Sequence, residues 1–271
     1  MGATGSFDVR FNIRHGALFD GSALEYDRYR PAYPDETIND IVSLSRIGPA
    51  SRLLEIGCGT GKATVQFASR GFAIDCVDPG RNLVLFASKK CRKWRKISFT
   101  VDSFENVELL PHSYDLIFSA HAFHWVRPTV RLKKANAMLS HNGSLALFYN
   151  YPGRPRGKLH ERLSLVITKE SRGKLAPWHY DEDVKRWAEE IRRCRLFKHL
   201  KVRTHKWVQR YTAEEYVGLF STYSDFLSLP VSLQRNVADG IHHEISENGG
   251  YICRPYDCVL IHARANGRTP S

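Results

Sequence analysis

The chain has 271 residues, 42% of them hydrophobic, and a formal net charge of +12, enough for one α/β core with a sizeable insertion and no need of a second independent domain. Its longest apolar runs, Leu116 to Ala120 and Leu145 to Phe148, are strand-sized and far short of the ~20 residues that span a bilayer, and Met1 to Arg10 has no continuous apolar stretch of the secretory kind; a cytoplasmic protein without a membrane partner is expected. The six cysteines form no C-x-x-C pair and have no histidine cluster at zinc spacing, which argues against a disulfide framework and against a metal site.

The first 33 residues read as an arm. Within it Gly2 and Ser6 satisfy a loose myristoylation pattern, read here as an unstructured start. Pro34 to Leu44 predicts a helix with proline in its first turn and Ile38, Ile41 and Val42 on one face. From Ser51 to Asn150, short apolar or β-branched runs alternate with amphipathic segments of helix length, the pattern of β-α-β units and a parallel sheet. Strands are predicted at Arg52 to Gly57, Ala73 to Asp78, Ile97 to Val101, Asp115 to Ala120 and Ser144 to Tyr149, the last started by a turn at Asn142-Gly143. Helices are predicted at Lys62 to Arg70, Arg81 to Trp94 and Pro128 to Leu139.

After Asn150 the pattern is broken by Pro152, Gly153, Pro155 and Gly157. Helical stretches then run to about Phe197, followed by a strand at Val202 to Gln209, helices at Ala213 to Ser221 and Val231 to Glu247, and a strand at Tyr256 to Ala263. The chain thus divides into an arm (1–33), a core (34–150), a helical cap (151–200) and a C-terminal part of the core with an inserted helical pair (201–271). Basic residues concentrate at Lys89 to Lys96 and Lys185 to Arg210. In the second stretch Glu189, Glu190, Trp187, Ile191, Leu196 and Phe197 interleave with the bases, which predicts an amphipathic helix with a solvated basic face.

The strongest chemical signal is the run Leu53 to Gly61, a buried strand that enters Gly57, Gly59 and Gly61. Glycine permits a sharp turn and lets a ligand approach closer than any Cβ would allow. The spacing is G-x-G-x-G with Glu55 two residues before the first glycine, and no Walker lysine-serine pair follows, so a ligand without a pyrophosphate fits better. Asp78 ends the next apolar strand 17 residues after Gly61, where a carboxylate can accept both hydroxyl hydrogens of a ribose.

The run Leu53 to Gly61, together with Val77-Asp78-Pro79-Gly80, Asp102-Ser103-Phe104, Tyr114 to Ile117 and Leu139 to Leu145, resembles the class I S-adenosylmethionine-dependent methyltransferases. Tyr29 to Pro34 and Ser119 to Val126 look like the small-molecule branch of methyltransferase type 11, related to trans-aconitate methyltransferases. The resemblance implies a doubly wound, seven-stranded, mostly parallel Rossmann-like sheet with a helical cap, and S-adenosylmethionine as cofactor. It implies that Glu55, Gly57 and Gly59 meet the amino acid moiety over a floor that includes Cys58, Thr60 and Gly61. Asp78 would hold the ribose, Pro79 and Gly80 the adenine slot, and Asp102, Ser103 and Phe104 the adenine. Ser119 and Ala120 would close the sulfonium end, with Tyr29 and Arg30 reaching over from the arm.

Methyl transfer from a sulfonium is an in-line displacement, so alignment is the main task. Where the acceptor loses a proton, His121 and His124 are the candidate bases, because they follow the strand bordering the substrate side and histidine titrates near neutral pH; Tyr26, Tyr149 and Tyr151 are candidates for orienting the acceptor. His121 stands where members of this branch often carry glutamine. A small-molecule acceptor is expected, and the monomer or homo-oligomer question stays open. The +12 charge raises the alternative of an RNA or protein substrate, which the missing Asn/Asp-Pro-Pro-aromatic and Pro-Cys motifs disfavour. A catalytically silent cofactor-binding protein is the other alternative.

Overall fold

The computed structural model describes residues 23–153, 157–175 and 180–267; the Gly2/Ser6 pattern and the first part of the arm lie outside the described residues. The described chain begins with helices α1 (Ala23–Tyr29) and α2 (Asp35–Ser45), followed by strand β1 (Arg52–Ile56), α3 (Lys62–Ala68), β2 (Ala73–Asp78), α4 (Arg81–Cys91), β3 (Ile97–Val101), β4 (Tyr114–Ala120), a short 3-10 turn at Phe123–Trp125, α5 (Pro128–Met138) and β5 (Leu139–Pro152). Then come α6 (Lys158–Glu170), α7 (Tyr180–Cys194), β6 (Phe197–Thr212), α8 (Ala213–Phe220), α9 (Ser224–Leu227), α10 (Val231–Glu247) and β7 (Tyr251–Ala265).

The seven strands form one sheet in the order β3-β2-β1-β4-β5-β7-β6. All pairings from β3 to β5 are parallel, and β7 runs antiparallel to β5 and β6. The crossovers run outward from β1 to β3 and then return to β4, so strand order reverses between β1 and β4, the crevice where doubly wound sheets bind ligands. Alternation fills both faces. Leu54, Ile56, Ile117, Leu145 and Leu147 pack beneath Leu132 and Ala135 of α5 and Trp187 and Ile191 of α7. Leu53, Leu116, Phe118, Ala146 and Phe148 pack beneath Ile38 and Ile41 of α2 and Phe67 of α3. A third cluster covers the β6/β7 end. There α10 buries Leu233, Val237, Ile241 and Ile245, one turn apart, against Leu219 of α8 and Leu163 of α6.

Two elements depart from the sequence reading. The helical stretch expected to run to about Phe197 ends sooner and the strand expected at Val202 starts earlier: α7 stops at Cys194, Arg195 takes a left-handed φ of 57°, and the chain turns into β6 at Phe197. Leu196 and Phe197 therefore belong to the turn and the strand. The bases Lys198, Lys201, Arg203, Lys206 and Arg210 lie along an edge strand paired on one side only, where charge blocks further strand pairing. The second departure is at Asn142-Gly143, which is no turn. β5 runs unbroken from Leu139, and the extra length is absorbed by a register shift against β4 between Tyr114 and Leu116, a bulge.

Gly143 makes that bulge fit, since a Cβ there would lie 2.8 Å from the Tyr114 carbonyl oxygen and 2.9 Å from Leu139 Cδ2. Gly143→Ala is expected to destabilise the fold by ~1–3 kcal/mol, the usual scale for overpacking. A lowered urea midpoint with an unchanged slope checks this, and a wild-type midpoint would show that the bulge relaxes without strain.

Candidate active site

The loop after β1 is built by backbone geometry. Gly57, Gly59 and Gly61 have φ of 71°, 52° and 78°, the left-handed region that glycine enters without strain. Gly57 is also a close approach, because a Cβ there would lie 2.2 Å from Ala122 Cβ on the loop after β4. The Asp78 carboxylate ties this loop to the one after β2: Oδ2 accepts from the Gly59 amide at 2.8 Å and Oδ1 from the Gly80 amide at 2.8 Å. Thr60 Oγ1 is buried without a protein partner, an orphaned polar atom on the loop floor. A glycine cradle, a carboxylate held at the tip of β2 and an orphaned hydroxyl fit the nucleoside and amino acid parts of S-adenosylmethionine. Asp102 is half-buried beside them; its amide donates to the Asp78 carbonyl at 3.2 Å and its Oδ1 accepts from the Ser103 amide at 2.7 Å. Pro79 is exposed and Gly80 half-buried at the mouth.

Other expected contacts are spent inside the protein. Glu55 is 1% exposed and lies under α3, where Thr64 Oγ1 donates to its Oε2 at 2.5 Å. Burial, reinforced by the Asp78 charge, pushes its pKa up to about 8. Cys58 turns into the core, leaving its backbone to the loop. Ser119 is fully buried and donates to the Ile56 carbonyl at 2.7 Å, stitching β4 to β1 rather than closing a pocket; Ala120 beside it is half-buried. Phe104 is 2% exposed and packed in the core, which removes the adenine stacking expected of it. Burial decides all four.

The arm lies across α3 and α4. Asp27 anchors one side, its carbonyl accepting from Lys62 Nζ at 2.5 Å and its Oδ1 pairing with Lys90 Nζ at 2.6 Å. Burial lowers the Lys62 pKa to about 8, with Lys90 adding to the shift and Asp27 opposing it. Tyr26 is half-buried beside Arg30 and within the field of Asp78. On the other side Arg30 donates from Nε to Thr222 Oγ1 and from Nη2 to the Thr222 carbonyl, both at 2.8 Å, with its guanidinium 4.1 Å from the Tyr223 ring centroid. Tyr29 is turned away from the glycine loop and packs flush on Gly218 of α8, so its predicted cofactor contact is replaced by a packing one.

His121 ends β4 with φ of 58°, rarely adopted by non-glycine residues and typical of functional loops. Its Nε2 lies 2.7 Å from the Asn150 amide nitrogen and 3.0 Å from the Asn150 carbonyl oxygen, so the ring is held on the Asn150 backbone in either neutral tautomer. Asn150 is a hub that sequence reasoning passed over. Its Nδ2 donates to the Ala32 carbonyl at 2.9 Å and its Oδ1 accepts from Trp207 Nε1 at 3.2 Å, joining arm, histidine and β6. His121 faces Tyr149 edge-on at 5.3 Å, with Tyr151 at 6.2 Å and Tyr33 at 6.5 Å. His124 lies in the following turn, 6.3 Å from Tyr149.

The histidines do not titrate near neutrality. Burial first, then the charge of Arg30, lowers the His121 pKa to about 3; burial and Arg131 lower that of His124 to about 4. At pH 7 both are neutral and weakly basic, so their fitness as general bases is corrected downward.

Loss of Asp78 frees two amides and the carboxylate together. Asp78→Ala is expected to weaken S-adenosylhomocysteine binding by at least ~1–3 kcal/mol; unchanged affinity by calorimetry would reject the ribose assignment. The pH dependence of stability follows from opposing groups. His121, His124 and the buried His262, lowered to about 4 by burial and Arg264, are neutral in the native state while the unfolded chain takes up protons below pH ~6.5, so stability falls as pH drops from ~6.5 toward 4. Glu55 holds a native proton up to about pH 8 while the unfolded chain releases it near 4.5, so its contribution declines across that whole window and, once the histidines are neutral above ~6.5, net stability falls toward pH 8 by at most about 1.4 kcal/mol per pH unit. Thermal melts of Glu55→Gln should keep the acid limb and lose the alkaline one.

Comparison with known proteins agrees with this geometry. The family described as "Methyltransferase domain" matches residues 54–147. An uncharacterized methyltransferase of Mycobacterium tuberculosis is 25% identical over 256 residues, covering 92% of this chain and 97% of its own. A probable S-adenosylmethionine-dependent methyltransferase of Saccharomyces cerevisiae is 30% identical over 131 residues, 47% of this chain and 45% of its own. Among solved structures, a protein of Anaeromyxobacter dehalogenans provisionally assigned as a type II methyltransferase superposes with a TM-score of 0.67 at 18% identity, covering 87% of this chain and 98% of its own. With its seven-stranded sheet, glycine loop and Asp78 clasp, the chain is a class I S-adenosylmethionine-dependent methyltransferase.

Proposed function

We propose that the methyl acceptor is a small molecule, bound between the fastened arm and the His121-Asn150 corner at the carboxyl ends of β4 and β5, in a cytoplasmic enzyme. One observation carries this reading: α1 is held on both flanks, by Asp27 to Lys62 and Lys90 and by Arg30 to Thr222, so the cleft is covered by the protein's own chain and suits an acceptor that can be enclosed. Two similar proteins act, by name, on a small acyl group carried by a protein and on a small phosphorylated amine. A malonyl-[acyl-carrier protein] O-methyltransferase of Ilyobacter polytropus is 29% identical over 153 residues, 55% of this chain and 56% of its own, and a Haemonchus contortus phosphoethanolamine N-methyltransferase 2 shares the fold with a TM-score of 0.56 over 60% of its length.

When bound, S-adenosylmethionine supplies a methyl group on a positively charged sulfur, and transfer consumes that charge. The residues here supply placement. The glycine loop and Asp78 hold the cofactor, the arm excludes water, and Tyr33, Tyr149 and Tyr151 form an aromatic wall around His121. His121, with its Nε2 engaged by the Asn150 backbone, leaves Nδ1 to orient the acceptor through a hydrogen bond. An acceptor already ionised, such as a carboxylate, needs no base.

Screening carboxylic acids, phenols and indoles for methylation, with S-adenosylhomocysteine release as the signal, tests the reading. Turnover on a small acceptor is expected, while turnover confined to RNA or protein, lost at raised salt, would replace it. With such an acceptor, kcat should show no histidine inflection between about pH 5 and 8; an inflection near 6.5 that disappears in His121→Gln would reinstate the histidine base.

A further inference from the structure

A second polar constellation lies on the same face of the sheet, beyond the arm. Arg254 of β7 is only 9% exposed, and a guanidinium does not lose its proton in a protein. Three tyrosine rings surround it, with centroids at 5.3 Å (Tyr256), 5.5 Å (Tyr216) and 5.8 Å (Tyr223). Its protein hydrogen bond is a long one, from Nη1 to Tyr216 Oη at 3.4 Å, and no carboxylate pairs with it among the described residues. Tyr211 Oη, 3.0 Å from Tyr256 Oη, completes a ring of hydroxyls. Burial raises the pKa of Tyr216 and Tyr256 and pushes that of Tyr211 up to about 12, so these phenols stay protonated and none neutralises the cation. Cation–π attraction compensates part of the desolvation, and apart from the Tyr216 contact the guanidinium has no protein acceptor among the described residues, so a largely buried charge is left for an anion to complete.

The cage adjoins the active site. Tyr223 is shared: Arg30 stacks on it at 4.1 Å and Arg254 approaches it at 5.8 Å. Arg30 in turn contacts the Tyr26 ring at 5.4 Å, and Tyr26 feels Asp78. Arg254 is therefore the guanidinium farther from the ribose carboxylate, on the side of the arm away from the cofactor loop. A concavity of about 160 Å³ opens next to the cage, lined by Arg28, Arg30, Tyr211 and Glu215 among others. The Glu215 carboxylate is already engaged, accepting from the Thr212 amide at 2.9 Å in the cap of α8.

We propose that Arg254, inside the Tyr211-Tyr216-Tyr223-Tyr256 cage, anchors an anionic group of the methyl acceptor, a carboxylate or a phosphate. This deepens the small-acceptor reading above and rests on it for the identity of the anion's owner. The guanidinium fork matches either oxyanion in a bidentate way, and the tyrosine hydroxyls can donate to the remaining oxygens.

The test is direct binding, independent of turnover. Full-length protein saturated with S-adenosylhomocysteine is titrated by calorimetry with succinate, benzoate and inorganic phosphate, for wild type, R254Q and R254K, with S-adenosylhomocysteine affinity measured in parallel. Wild type is expected to bind one of these anion classes, the carboxylate and phosphate arms telling which. R254Q should weaken that binding roughly ten- to hundredfold, the range for losing hydrogen bonds to a charged group. R254K, which keeps the charge and guards against a folding defect in R254Q, should weaken it about tenfold through loss of the fork. Affinity for S-adenosylhomocysteine should be unchanged. The proposal is overturned if no anion binds the saturated wild type, if R254K binds as wild type does, or if anions bind only by displacing S-adenosylhomocysteine, which would make this the cofactor's carboxylate site. Methylation of neutral small molecules alone would overturn the anchor and leave the small-acceptor reading standing, whereas turnover on polymers alone would remove that reading and, with it, the owner assigned to the anion.

Discussion

One carboxylate bridging two loops organises the cofactor end of this molecule. Asp78 accepts from the Gly59 amide and from the Gly80 amide, each at 2.8 Å, so the turn leaving β1 and the turn leaving β2 are held at a fixed distance at the point where the sheet reverses its order. The bond is possible only because Gly59 adopts a left-handed conformation that aims its amide outward, and because parallel pairing sets Ile56 beside Val77, which delivers Asp78 to the level of the loop. Two helices and the arm hang from these two turns. α3 starts at the end of the first, α4 at the end of the second, and the arm is fastened to the first residue of α3 and to Lys90 near the end of α4.

Much of this frame could be read along the chain, because its determinants are local. The alternation of apolar runs and amphipathic segments gave every strand of the parallel half within a few residues, and the glycine spacing with Asp78 marked the reversal point. The bounds of α10 came out residue for residue, since Leu233, Val237, Ile241 and Ile245 recur one turn apart. What was hidden depends on contacts between distant segments. Asn150 and Arg254 look like ordinary polar residues in sequence, and only pairing of β5, β6 and β7 brings them to the cleft. The end of α7 at Arg195 carries no glycine or proline to announce it. The histidines' chemistry was misjudged for a related reason: a lowered pKa is a property of the surroundings, and those of His121 include Arg30, 91 residues earlier.

The charge that first suggested a polymeric substrate also finds a physical place. A long stretch of it sits on β6, the outer strand of the sheet, and part is paired internally, as in Arg203 with Asp40 at 2.5 Å and Arg131 with Glu190. An edge strand of 16 residues with one side unpaired would otherwise invite another chain to extend the sheet, and a row of lysines and arginines makes that costly. Protection of the sheet edge gives these bases a structural role.

The contact between Gly57 and Ala122 links the two halves of the chemistry. The missing Cβ of Gly57 would fall 2.2 Å from that of Ala122, so the loop that carries the cofactor and the loop that carries His121 and His124 touch at a point where neither has room to grow. The smallest side chains at these two positions are thus one joint decision of the sequence. Through that shared point a change of shape in one loop becomes a displacement of the other, and divergence toward new acceptors has to proceed by altering the residues around Ala122 while leaving this pair as it is.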